Sequence, residues 1–101
     1  MPAKLAPIKL AILPLVKKDG LPEIAKGIMD NCKERFKCFY EEKDAIGKRY
    51  RRMDAIGTPF CVTIDHQTKE DNTVTLRNRD TMQQNRIPIN IIREIVEKQI
   101  S

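Results

Sequence analysis

Apolar residues come in short bursts along this chain, and the spacing inside each burst names an element. Residues 8–15, IKLAILPL, are almost continuously apolar over a strand's length, as expected of a strand covered on both faces. Lys17, Lys18, Asp19 and Gly20 end it. Over residues 21–36 the apolar positions Leu21, Ile24, Ala25, Ile28, Met29 and Cys32 recur at helical spacing, with Pro22 in the first turn, where it costs least. Residues 37–41, KCFYE, read as a short second strand. Asp44 is a candidate N-cap for a helix reaching Ile56, closed by Gly57 and Pro59. Residues 59–65 and 72–77 are rich in β-formers and separated by HQTKED, a polar loop in this reading, so they form an antiparallel pair. A turn over 79–81 leads to an edge strand at 83–87. Pro88 ends that strand or opens a last helix carrying Ile91, Ile92, Ile95 and Val96.

The predicted order is β-α-β-α-β-β-β-α. Alternating elements followed by a meander place a mixed sheet between helices on both faces, an α/β fold of the three-layer α/β/α sandwich type. The chain has 101 residues, enough for one core and one domain, with 1–6 as a lead segment and 7–98 folded.

One helix carries more charge than docking requires. In GKRYRR, four basic side chains occupy positions 48–52. Each helical residue advances about 100°, so with Lys48 at zero, Arg52 lies near 40° and Arg51 near 300°; these three share a face. Ile46, Tyr50, Met53 and Ile56 fall between about 80° and 200° and make a separate apolar stripe. Arg49, near 100°, lies on that stripe or its rim. A second basic group, Arg77, Arg79 and Arg86, flanks the turn RNRDT, where Asn78, Asp80 and Thr81 add short hydrogen-bonding side chains. A solvated face paired to Glu41, Glu42, Asp44 and Asp54 is the bland reading of the helix. Those first three acids, however, sit where they suit the positive end of a helix dipole without the basic face. Guanidinium forks beside amides, hydroxyls and a carboxylate match phosphates and base edges together. Tyr50 and Phe60 could stack on unpaired bases, although such residues more often belong to the core.

Composition narrows the partner and removes most catalysis. The net charge is +5, with 33% charged and 5% aromatic residues, which suits a globular domain that meets an anionic partner. No apolar run reaches the ~20 residues of a membrane-spanning helix, and a cytoplasmic location is expected. Cys32, Cys38 and Cys61 form no CxxC or Cys/His cluster and read as small buried hydrophobes. His66 has no nucleophile placed beside it, and no glycine-rich phosphate loop is present, so the chain alone is read without a catalytic, cofactor or metal site.

The segments DAIGKRYRRMDAIGTPFCVTID and NTVTLRNRDTMQQNRIPI, preceded by LAPIKLAILPLVKKDGLPE, resemble the C-terminal anticodon-binding domain of glycyl-tRNA synthetases of the dimeric, class II type. The resemblance runs from about Leu5 to Val96. It implies a five-stranded mixed sheet flanked by helices and a role in gripping the anticodon stem-loop of glycine tRNA. Carried over position by position, it nominates Lys48, Arg49, Arg51, Arg52 and Asp54 in the helix block, and Arg77, Arg79, Asp80 and Thr81 at the turn. Met53 and Asn78 depart from the family's pattern, in which a polar and an acidic residue are common at those positions. It also implies that an upstream catalytic domain, absent here, uses ATP and Mg²⁺ to esterify the tRNA. The parent enzyme is then a homodimer and this chain an excised, monomeric domain. A different class of function stays open at this stage: a non-catalytic accessory or protein-interaction module of the same fold, with sequence-independent nucleic-acid binding.

Overall fold

The computed structural model describes residues 8–42, 46–55, 57–79 and 81–100, without the side chains of residues 46, 99 and 100. The elements are β1 (Leu10–Pro14), α1 (Leu21–Cys32), β2 (Cys38–Tyr40), α2 (Ile46–Ala55), β3 (Phe60–Ile64), α3 (His66–Asp71), β4 (Thr73–Asn78), β5 (Gln84–Pro88), a 3-10 turn (Ile89–Ile91) and α4 (Ile92–Ile100). The five strands lie in the order β2-β1-β3-β4-β5. β1 pairs parallel with β2 and β3, while β3–β4 and β4–β5 are antiparallel. The mixed sheet and the antiparallel β3–β4 pair are those expected from the sequence.

Strand alternation sorts the core into two layers. Leu10 and Ile12 of β1, Phe60, Val62 and Ile64 of β3, and Val74 and Leu76 of β4 face α1 and α4, meeting Leu21, Ala25, Ile28, Ile92 and Val96. Ala11, Leu13 and Cys61 point the other way and meet Met53, with Tyr50 and Phe39 packed alongside. β1 and β3 are buried at every position, which is why they read as continuous apolar runs.

The segment 66–71, expected to be a loop, is the helix α3. Asp65 caps it: its carboxylate accepts from the Thr68 N–H at 3.2 Å, and Thr68 Oγ1 accepts from the Asp65 N–H at 3.1 Å. Asn72 closes the helix in the left-handed conformation at φ 58°. A reciprocal cap made by Asp and Thr, without the usual Glu or Gln, hid this turn in the sequence. The observed order is therefore β-α-β-α-β-α-β-β-α. The helix expected over 21–36 stops at Cys32, although Phe36 still reaches the core. Pro88 is the last residue of the edge strand β5, where its missing N–H breaks no interior ladder. The proposed cap Asp44, the stripe position Ile56 and the side chain of Ile46 lie outside the described residues.

Candidate functional site

α2 lies across the sheet face formed by Ala11, Leu13 and Cys61, and docks through Tyr50 and Met53 as its sequence spacing predicts. Its opposite side carries Lys48 and Arg51, both exposed, and Arg52, half-exposed with Nη1 2.7 Å from Glu41 Oε2. The basic face read from helical angles therefore exists.

Arg49 does not belong to it. This side chain is only 1% exposed. Its guanidinium Nη1 donates to the carbonyls of Pro14 at 2.6 Å and Glu41 at 3.0 Å, and Nη2 donates to that of Leu15 at 3.2 Å. β1 and β2 end here, and carbonyls that leave a ladder inside the protein require donors. A rigid fork with several N–H groups supplies them from one side chain. The nomination of Arg49 as an RNA contact is corrected: the fold uses it inside.

Asp54 and Arg77 are brought together, facing each other rather than solvent. Arg77 donates from Nη1 to Asp54 Oδ1 at 2.8 Å and from Nη2 to Oδ2 at 3.0 Å, a bidentate pair. The Arg77 side chain is 7% exposed, and its guanidinium carbon lies 4.8 Å from the centre of the Tyr50 ring. The Asp54 hydrogen bonds raise the Arg77 pKa further above its ordinary value. Tyr50 is occupied on its hydroxyl as well, which shares a hydrogen bond with Thr63 Oγ1, and burial raises its pKa. Phe60 is a core residue, so neither aromatic offers a free ring for stacking. The Asp54–Arg77 pair instead fastens the C-terminal end of α2 to β4, directly before the turn that carries Arg79 and Thr81.

That turn has a defined shape. The Asn78 N–H donates to Gln83 O at 2.9 Å, the Met82 N–H to Asn78 O at 2.8 Å, and the Arg79 N–H to Pro59 O at 2.9 Å. Asn78 Oδ1 accepts from the Thr81 N–H at 3.2 Å. Asn78 thus shapes the turn through its side chain. Arg79 is half-buried and Thr81 exposed; Asp80 lies outside the described residues.

Arg86, grouped with Arg77 and Arg79 from sequence, is held elsewhere. It donates to both oxygens of Asp65 at 2.7 Å, to Thr73 Oγ1 at 2.7 Å, to Thr75 Oγ1 at 3.2 Å and to Thr73 O at 3.0 Å. It therefore ties β5 across β4 to the end of β3, and its bonds hold the Asp65 carboxyl below the usual range. Sequence reasoning missed this use of Arg86, because its acceptors come from β4 and from the cap of α3. His66 opens α3, exposed, with Nε2 2.8 Å from Asp19 Oδ2. Burial pushes the thiols of Cys38 and Cys61 up to about 12. Among the described residues no three His, Cys, Asp or Glu side chains converge as a metal ion would require.

The surface that results is a cationic helix face bolted to a hydrogen-bonding turn. Residues 9–99 match the family model described as an anticodon binding domain. The chain belongs to the anticodon-binding domain family. It is 63% identical to a glycine–tRNA ligase of Treponema denticola over 83% of this chain and 19% of that protein. It is 57% identical to the glycine–tRNA ligase of Borrelia hermsii over 96% of this chain and 22% of that one. The anticodon-binding chain thus spans about a fifth of the length of these relatives. The RNA-binding domain of threonyl-tRNA synthetase from Cryptosporidium parvum shares its fold, with a TM-score of 0.85 at 22% identity over 98% of this chain and 25% of that one.

Proposed function

We propose that this domain grips the anticodon stem-loop of glycine tRNA and presents the tRNA to a catalytic domain elsewhere in a longer glycine–tRNA ligase. The observation that carries the reading is the coupling of two surfaces. The basic face of α2 and the 79–83 turn are locked together through the Asp54–Arg77 pair, so charge and hydrogen-bonding groups keep one spacing. Lys48, Arg51 and Arg52 hold phosphates and set register. Arg79, Asp80 and Thr81 meet base edges, while Asp54 and Arg77 act by holding those groups in place. ATP and Mg²⁺, which the ligase class uses, act in the catalytic domain of the longer protein. That protein works in the cytoplasm as a homodimer, and this domain by itself is a monomer.

Titration of the chain with the glycine anticodon stem-loop, and with the same stem-loop carrying changed anticodon bases, tests the reading. Affinity for the first is expected to exceed that for the second by at least about tenfold, the cost of one lost base contact. Equal affinities that fall steeply with salt would favour the sequence-independent module instead.

A further inference from the structure

Met82 combines two features that rarely meet in one residue. It sits in the left-handed region at φ 61°, and it is 61% exposed, more than any other large hydrophobic among the described residues. The position before β5 requires that conformation to close the turn, and glycine or asparagine adopts it with least strain. Asp19 and Asn72, the other non-glycine residues with positive φ among the described residues, are of the short polar kind that tolerates it. Folding therefore argues against methionine here through the backbone.

The side chain does not trail into solvent. Its sulfur lies 3.5 Å from Arg77 Nη2, so the thioether rests against the end of the Asp54–Arg77 pair, and the hydrogen bonds of the turn hold its backbone there. An apolar, polarizable group is thus presented on the turn beside Arg77, which fastens that turn to the C-terminal end of α2. A thioether makes favourable contact with aromatic faces, and every nucleobase offers one whatever its sequence.

We propose that Met82 is a nucleobase contact: an unpaired base of the bound loop lies against its thioether while Lys48, Arg51 and Arg52 hold the backbone. The proposal rests on the RNA-binding reading above. An anionic nucleic acid is favoured over a protein as the occupant because the turn that carries Met82 also carries Arg79 and is fastened through the Asp54–Arg77 pair to the basic helix α2.

Three variants of the chain, each followed by thermal unfolding and by titration with the glycine anticodon stem-loop at fixed salt, test this. Met82→Gly relieves the backbone, so Tm is expected to rise by about 4 °C. Its affinity is nevertheless expected to fall about fivefold. Met82→Gln keeps the length and the backbone cost, and is expected to lose about fivefold in affinity at unchanged Tm. Met82→Leu keeps an apolar surface and is expected to bind within about twofold of the parent. A residue that served only the fold would move both readouts in the same direction. Unchanged affinity of the Gly and Gln variants, with the parent binding normally, would overturn the proposal alone and leave the surface to a different partner. Absence of binding by the parent itself would overturn the RNA-binding reading and this proposal together.

Discussion

Arg49 and Arg51 stand two positions apart in one basic run, and their fates differ completely. Arg51 is exposed; Arg49 satisfies three backbone carbonyls at the ends of β1 and β2. Removing Arg49 leaves the buried Pro14 carbonyl and the part-buried carbonyls of Leu15 and Glu41 without its donors, so Arg49→Ala is expected to cost about 3 kcal/mol, lowering Tm by roughly 15 °C. Arg49→Lys should recover little, since a point ammonium cannot span three carbonyls. Arg51→Ala is expected to leave Tm within about 2 °C and to weaken stem-loop binding, and calorimetry with titration separates the two. Helical angles placed Arg49 near the apolar stripe, which was correct. They could not show that the stripe's neighbours at that level are carbonyls, because those come from the ends of β1 and β2, which only the folded sheet brings beside α2.

At the scale of elements, α3 illustrates how one side chain can serve two structures. Asp65 caps the helix through Thr68 and receives the Arg86 fork from the edge strand β5. Its carboxyl titrates below the ordinary value in the folded state, chiefly through the Arg86 hydrogen bonds. A depressed folded value means that the stabilisation is fully present above the unfolded value of about 4 and is lost as pH falls through the folded one. Asp65→Asn is therefore expected to lower stability at pH 7 by about 1–2 kcal/mol, with the gap to the parent closing below about pH 4. Denaturant unfolding at pH 7, 5 and 3 measures this, and a gap that persists at pH 3 would assign the loss to packing rather than charge. The Asp-x-x-Thr cap is local but lacks the Glu or Gln that usually marks one, and the partnership with Arg86 joins residues 21 apart, so neither was legible in the sequence.

For the whole molecule the question is how a domain with net charge +5 turns that charge into recognition. Lys48 and Arg51 are the exposed cations expected to displace counterions from phosphates, so removing both should flatten the plot of log K against log salt by about 1.5. Removing Arg77 should instead loosen the coupling of α2 to the turn, lowering affinity and Tm together while leaving the slope nearly unchanged. Titrations at several salt concentrations distinguish the two outcomes. The strands, three of the four helices among the described residues, the mixed sheet and the outward face of α2 could all be read along the chain. These depend on apolar periodicity and turn chemistry, which are local and repeat along the chain. The family resemblance likewise followed from the continuous blocks around residues 44–65 and 72–89. Which arginines reach a partner could not be read that way. A guanidinium's role depends on the acceptors brought within about 3 Å of it, and those of Arg49, Arg77 and Arg86 come from distant strands and helices. Charge in a sequence is a supply of donors, and folding allots each one to a carbonyl, a carboxylate or solvent.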